Sequence, residues 1–390
     1  MTARHLYVHV PFCARRCTYC DFSIAVRKRT PVREYLGALE REVRRADPFG
    51  PPATLYLGGG TPSRLGGGGV AEIARLCGVT GDVAEFTLEA NPDDVSPETA
   101  RAWADAGVNR LSLGAQSFDD RVLRWMHRTH DAVAIAPAVR AARAAGIATV
   151  SLDLIFALPD TLGRDFRADL ERAIACESDH VSLYGLTIEP GTPLARQVAR
   201  GECTAAPDAR YEAEYLLAHE VLRGAGFTFY EVSNAARGGR EAVHNRAYWQ
   251  LRPYLGFGPA AHSFDGVSRW WNEAAYASWV RRLAAGASPI AGRETLAEPQ
   301  RRLEQLYLGL RTSEGIELTT GSGAGGRRPG DLRPDTIHAW VASGWAVLSA
   351  AAAPAGSSRS PDPRSPTPGP SRLSLTPLGW LRLDELVASV

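Results

Sequence analysis

The stretch HVPFCARRCTYCDF (residues 9–22) places three cysteines, Cys13, Cys17 and Cys20, directly after a short apolar run. Iron–sulfur clusters usually take four cysteine ligands, but three thiolates can hold three irons of a 4Fe–4S cube and leave the fourth iron open to a small molecule. The alternatives are three unconnected cysteines or a structural zinc site, which favours a second cysteine pair or histidines well downstream. Because no second pair follows, the spacing predicts one 4Fe–4S cluster.

The bulk composition limits the class of protein. A chain of 390 residues with 45% hydrophobic residues can form two or three domains, or one large barrel with an appendage. The net charge of +1 gives no global field that would attract nucleic acid. The other cysteines, Cys77, Cys176 and Cys203, are scattered along the chain and do not form the pattern of a disulfide framework. This favours a reducing cytosol as the setting of the protein. With no signal peptide and no run of about 18 apolar residues, we expect a cytoplasmic chain without an integral membrane segment; peripheral membrane contact stays open.

Short β-rich runs alternate with helical patterns along the first half of the chain. The predicted strands are residues 6–10, 54–57, 85–90, 110–114, 149–155 and 180–186. The predicted helices between them are residues 32–45, 70–76, 97–106, 132–145 and 166–176. Such alternation is typical of parallel βα units, either in a barrel or in a doubly wound open sheet.

Polar residues lie at or near the ends of these strands. The run GGGTP (58–62) follows the second strand, Glu89 and Gln116 lie near the ends of the third and fourth, Asp153 interrupts the fifth, and Gly185 ends the sixth. A lone polar residue in a strand usually faces solvent, but the C-terminal ends of parallel barrel strands meet at one mouth where active sites lie. The pattern therefore favours the α/β class with a partial, TIM-like (β/α)6 barrel.

The remainder of the chain differs in character. We expect residues 1–225 to form the barrel core and residues 226–299 an aromatic-rich β and irregular extension. Residues 300–390 read as a C-terminal α+β winged-helix-like cap. Within it, residues 350–371 consist of Ala, Pro, Ser, Gly and Arg and are predicted to be a disordered insertion. No basic stripe accompanies the cap, so no nucleic-acid partner is expected.

Several motifs together resemble the radical S-adenosylmethionine (SAM) superfamily, and within it the oxygen-independent coproporphyrinogen III oxidase group. They are YVHVPFC (7–13), GGGTP (58–62), NP (91–92), LSLGAQ (111–116), DLI (153–155), EPGTP (189–193) and HNRAYW (244–249). The resemblance covers roughly residues 5–348 and 372–390. It implies a 4Fe–4S cluster and SAM as cofactors. Carried over by position, the implied cofactor contacts are Tyr7, Tyr19, Gly59, Gly60, Thr61, Glu89, Gln116, Arg128, Asp153 and Gly185.

One departure separates two branches of this group. The oxidases carry a fourth cysteine two residues after the third, where this chain has Phe22. The Cys-Asp-Phe ending and the HNRAYW motif are instead similar to HemW-type haem chaperones, which implies bound haem and its transfer to an unidentified acceptor protein. His244 is then the candidate haem contact, with His262 a weaker one, because imidazole is the commonest axial ligand of haem iron. The alternative is an enzyme that decarboxylates coproporphyrinogen III by radical chemistry.

Overall fold

The computed structural model describes residues 4–46, 49–81, 83–318, 332–350 and 371–390. The chain divides into two compact units. The first runs to Thr228 and resumes over Ser233–Thr295, and the second comprises Phe229–Val232 and Leu296–Val390. Residues 226–299, predicted to be a β and irregular extension, belong to the first unit except for Phe229–Val232 and residues 296–299.

Six parallel strands in chain order form the centre of the first unit. They are β1 (His5–Val10), β2 (Thr54–Gly59), β3 (Glu85–Ala90), β4 (Arg110–Gln116), β5 (Thr149–Phe156) and β6 (His180–Gly185). They are buried almost throughout, as expected of parallel strands covered on both faces. β1 and β6 do not pair with each other, because each has another neighbour on its far side. The predicted α/β class and partial barrel are confirmed.

Helices follow the strands on the outside of the sheet. Those of the first unit are α1 (Val32–Arg45), α2 (Gly66–Leu76), α3 (Pro97–Asp105), α4 (Asp120–Trp125), α5 (Ile135–Ala144), α6 (Phe166–Ala175), α7 (Pro193–Ala199), α8 (Asp208–Gly224), α9 (Val243–Trp249) and α10 (Tyr276–Ala284). Local sequence fixes several ends. Ser96 and Thr99 form a capping box at the start of α3, which begins at Pro97. Gly107 has a φ of 98° just beyond the end of that helix. No helix among the described residues is long and apolar enough to cross a bilayer.

The residues after α8 extend the barrel sheet at both edges. β7 (Asn234–Ala236) pairs antiparallel with β6, and β8 (Tyr254–Phe257) pairs parallel with β1. The sheet continues outward through β9 (His262–Phe264), β10 (Ser268–Asn272) and β11 (Ile290–Thr295). These strands are short and mostly aromatic or polar, so their sequence carries little periodic signal.

A buried carboxylate joins this extension to the barrel. Glu42 on α1 accepts hydrogen bonds from the Gly258 amide at 2.9 Å, from Asn272 Nδ2 at 2.6 Å and from Trp279 Nε1 at 2.9 Å. Burial raises the pKa of Glu42 to about 7. All three donors come from the segment that sequence alone assigned to a separate extension, which explains why the two fold as one unit.

The second unit is a small α+β arrangement. It contains α11 (Glu298–Arg311), α12 (Pro334–Ala342), α13 (Pro377–Trp380), α14 (Leu383–Ala388) and the antiparallel strands β12 (Ile316–Glu317), β13 (Ala346–Ala350) and β14 (Ser371–Leu375). The described chain thus ends in two short helices, α13 and α14. The predicted disordered insertion begins and ends inside β13 and β14, and its interior lies outside the described residues. The winged-helix character of this unit stays a prediction.

Candidate functional site

The C-terminal ends of the barrel strands surround a cavity of about 420 Å³. This volume lies in the range of small-molecule sites, about 300–1,000 Å³. Of the predicted site residues, the cavity lining contains Cys13, Cys17, Tyr19, Cys20, Gly59, Gly60, Thr61, Glu89, Gln116, Arg128, Asp153 and Gly185. Two predicted residues, Tyr7 and His244, are not part of the lining. The structure therefore brings together nearly every residue that the strand-end pattern and the resemblance indicated.

The cysteine loop is held in place by backbone pairing and by one buried threonine. Phe12–Cys13 pairs in parallel with Ala25–Val26. Thr18 is fully buried, and its hydroxyl donates to the Trp125 carbonyl at 2.6 Å. This contact ties the middle of the loop to the end of α4.

The three cysteines present free thiols to the cavity. Thr61 Oγ1 lies 3.4 Å from Cys13 Sγ. Burial raises the pKa of Cys13 and brings that of Cys20 to about 11, so a positive metal centre must displace the thiol protons when it binds. No three His, Cys, Asp or Glu side chains among the described residues converge on a single metal ion. A cube does not need this, because each of its thiolates binds a different iron.

The glycine run at the end of β2 allows the backbone to pass close to β1. Gly59 has a φ of 111°, and a Cβ there would lie 2.5 Å from the His9 ring. A Cβ on Gly60 would lie 2.7 Å from the Pro11 carbonyl carbon. Only glycine fits both positions. The Gly59 amide donates to Glu89 Oε2 at 3.1 Å, which places the glycine run beside a carboxylate.

Glu89 belongs to a half-buried polar and aromatic group inside the barrel. The Tyr56 hydroxyl donates to Glu89 Oε1 at 2.7 Å. Tyr7 stacks on Tyr56 with ring centroids 5.9 Å apart and hydrogen-bonds to His9 Nδ1 at 3.1 Å, so it lies behind the lining. Burial raises the pKa of Glu89 to about 7, while the hydrogen bond from Tyr56 acts in the opposite direction. Glu89 can therefore gain or lose a proton near neutral pH.

Two further strand-end residues are placed by local irregularity and by hydrogen bonding. Gln116 has a left-handed φ of 65°, and the register between β4 and β5 shifts between Leu113 and Gln116. Such a bulge redirects the following side chain. Asp153 on β5 accepts a hydrogen bond from Ser112 at 3.1 Å, and burial raises the pKa of its carboxyl group to about 6.

Arg128 supplies a cation between the cysteine loop and the strand ends. Its Nη2 donates to Asn91 Oδ1 at 2.5 Å and to the Gly114 carbonyl at 2.8 Å. Its Nη1 lies 3.5 Å from Cys17 Sγ. Its Nε is buried without a hydrogen-bond partner among the described residues. A guanidinium in this state suits an anionic group of a ligand, such as a carboxylate.

His244 is not placed to ligate a haem iron. It is completely buried, with Nδ1 bonded to Thr54 Oγ1 at 2.7 Å and Nε2 to the Tyr248 hydroxyl at 2.8 Å. Thr54 is the first residue of β2, so His244 lies at the opposite end of the strand from the cavity. Burial lowers its pKa to about 3. His262 is exposed on β9, beside the Trp271 ring and outside the lining.

Some lining residues were not assigned a role from sequence. They include Phe22, Asn91, Ser112, His127 and Tyr184. Asn91 and Tyr184 lie next to strand ends, and this position is the sequence feature that could have identified them as lining residues. His127 precedes Arg128, but nothing in the sequence shows which way its side chain points.

Comparisons with known proteins agree with this geometry. Residues 7–173 match the family model of the Radical SAM superfamily. The heme chaperone HemW of Mycobacterium tuberculosis is 39% identical over 322 residues, which cover 80% of this chain and 83% of that protein. HemW of Bacillus subtilis is 32% identical over 338 residues, covering 85% and 89%. A mitochondrial radical S-adenosyl methionine domain-containing protein 1 of Bos taurus is 37% identical over 327 residues, covering 80% and 74%.

A solved structure reproduces the whole fold. Coproporphyrinogen III oxidase (HemN) from Escherichia coli, described as a radical SAM enzyme, superposes with a TM-score of 0.78 and covers 99% of this chain and 89% of its own. Its sequence identity is 20%, so the likeness establishes the fold alone.

Proposed function

This chain belongs to the HemW family of the radical SAM superfamily, and we propose that it is a haem chaperone that binds haem, one 4Fe–4S cluster and SAM, and passes the haem to an acceptor protein. The observation that carries the proposal is that the cysteine loop, the glycine run and the strand-end carboxylates line one and the same cavity. Haem is inferred as the ligand from the names of the relatives, since the two bacterial ones are heme chaperones.

The residues present fit the two cofactors that the superfamily implies. Cys13, Cys17 and Cys20 are free thiols on one short loop and would hold the cluster. The narrow backbone passage at Gly59 and Gly60 and the unpaired Nε of Arg128 suit an amino acid ligand. When bound, the cluster would supply an electron to SAM.

The charges around the cavity support the following orientation of the amino acid part of SAM. Glu89 accepts the Gly59 amide, so its carboxylate lies at the glycine run and complements an ammonium group. Arg128 lies on the cysteine side and complements a carboxylate. Asp153 and Gln116 would complete the polar surface. The cytoplasm remains the expected compartment, and the acceptor remains to be identified.

Decarboxylation of coproporphyrinogen III is the competing activity. Phe22 occupies the position where the oxidases carry their fourth cysteine, and its side chain is 58% exposed at the cavity. The structural likeness to the oxidase, at 20% sequence identity, is no evidence that this chain shares its activity. We therefore rank decarboxylation second.

An anaerobic experiment separates the two activities. The reconstituted protein is titrated with haem and, in a parallel sample with SAM and reductant, incubated with coproporphyrinogen III. We expect a Soret band from bound haem, its transfer to apomyoglobin as a spectroscopic acceptor, and no protoporphyrinogen. The buried His244 serves as an internal check, and a His244→Gln variant should keep the haem spectrum. Protoporphyrinogen without haem binding would reject the chaperone proposal.

A further inference from the structure

His127 is the histidine of this chain that the cavity exposes. The chain has nine histidines, all within the described residues. The side chains of His127, His262 and His338 are exposed, and of the nine only His127 lines the cavity. The cavity therefore offers one imidazole to a ligand.

The imidazole of His127 is not used by the fold. It makes no hydrogen bond or ion pair with any described residue, whereas both ring nitrogens of His244 are engaged. The backbone of His127 has a φ of 58°, and the residue directly follows Met126, the C-cap of α4, where a left-handed conformation commonly ends a helix. The conformation of His127 thus ends α4, and its exposed imidazole is available to a ligand in the cavity.

The position of His127 is fixed by its neighbours in the chain. Thr18 donates its hydroxyl to the Trp125 carbonyl at 2.6 Å and its amide to the Met126 carbonyl at 3.2 Å. On the other side, Arg128 reaches Cys17 Sγ at 3.5 Å. The cysteine loop thus contacts the chain immediately before and after His127, and both the loop and His127 line the cavity.

Other residues that line the same cavity as His127 suit a flat aromatic anion. Phe22 and Tyr184 also line the cavity, and their side chains are 58% and 49% exposed, which is high for such large rings. Arg15, another exposed lining residue, adds a positive charge. Because the volume of about 420 Å³ suits a small cofactor, a porphyrin would lie at this exposed rim.

We propose that His127 is the axial ligand of the haem iron, with the macrocycle against Phe22 and Tyr184 and a propionate near Arg15. This inference rests on the proposed haem-chaperone function. It assigns the iron ligand to the cavity rim and away from the HNRAYW motif.

The test uses a His127→Gly variant. Glycine adopts a positive φ without strain, so the substitution removes the imidazole while favouring the local backbone conformation. A His262→Ala variant is the matched control, because it removes another exposed histidine that does not line the cavity. Cluster iron content and SAM binding are measured for both variants to establish that the cofactor site is intact.

Haem titration followed by absorbance and EPR then gives the result. We expect the histidine-ligated Soret band in the wild type and in His262→Ala, its loss in His127→Gly, and its recovery when free imidazole is added to that variant. A His127→Gly spectrum identical to the wild type would overturn the assignment but keep the chaperone, as would a lost band that imidazole does not restore. A wild-type protein that binds no haem would reject the proposed function itself.

Discussion

Replacing Tyr56 by Phe tests the electrostatics of the proposed SAM site. The substitution removes the hydroxyl that donates to Glu89 Oε1 at 2.7 Å and leaves the Gly59 amide as the other donor at 3.1 Å. Glu89 is half-buried at the cavity, and desolvation raises its pKa to about 7. We expect SAM, through its ammonium group, to bind the ionised carboxylate, so the variant should bind SAM more weakly near neutral pH.

The structure sets the size of the effect. A hydrogen bond to a charged group contributes about 1.5–3 kcal/mol, and one pH unit of pKa corresponds to about 1.4 kcal/mol. Loss of the hydroxyl should therefore raise the pKa of Glu89 by about one to two pH units. At pH 7 about half of the wild-type Glu89 would be ionised, against roughly 1–10% in the variant. The Kd for SAM should then be about 5–50 times larger in the variant, and at pH 9 less than about twice as large.

The assay is calorimetric titration of SAM into cluster-loaded wild-type and Tyr56→Phe protein between pH 6 and 9. The amine of SAM also titrates in this range, but its effect cancels in the ratio of the two Kd values. The control ligand is 5′-methylthioadenosine, which lacks the amino and carboxylate groups, and its Kd should be equal in both proteins. A Kd ratio for SAM that stays constant from pH 6 to 9 would refute the reasoning, because only loss of ionised Glu89 makes the ratio fall as the pH rises.

Two further predictions concern the cluster and the cap. A Cys17→Ala variant, reconstituted anaerobically, should lose the cubane absorbance and the iron content, with Cys176→Ala as a control on a cysteine outside the cavity; full iron loading of Cys17→Ala would contradict the ligand assignment. Replacing residues 351–370 by a short turn should change the melting temperature by no more than a few degrees, because that composition cannot offset a backbone ordering cost of about 1–2 kcal/mol per residue; a large fall measured by calorimetry would show that the segment packs.

The barrel and most of its site could be predicted from sequence because parallel strands have a recognisable apolar pattern and the polar residues at their ends belong to the site. Residues 149–155 (TVSLDLI) contain four large apolar residues, and Asp153 is the one charged residue among them. The observed β5 spans Thr149–Phe156. Since all six strands run in the same direction, their final polar residues converge on one cavity.

The failures have a common physical cause. The sequence does not show at which end of a barrel a later segment folds. His244 is therefore predicted from sequence to bind haem, although its two ring nitrogens form hydrogen bonds with Thr54 and Tyr248 at the end of the barrel opposite the cavity. Backbone conformation is equally hidden. Neither the register shift that turns Gln116 nor the left-handed φ of His127 leaves a mark in residue type, because glycine is absent from both positions.

The three hydrogen bonds that Glu42 accepts from residues beyond 250 have a consequence for any attempt to express parts of this protein. A fragment that stops at residue 225 looks complete in sequence, with six strands and the whole cysteine loop. It would nevertheless lose all three donors to Glu42 and expose the hydrogen-bonding edge of β1, which β8 otherwise covers. Such a fragment should aggregate, whereas one that ends at Thr295 keeps every partner of α1 and β1 described above. Swapping barrels between relatives should therefore place the junction after β11.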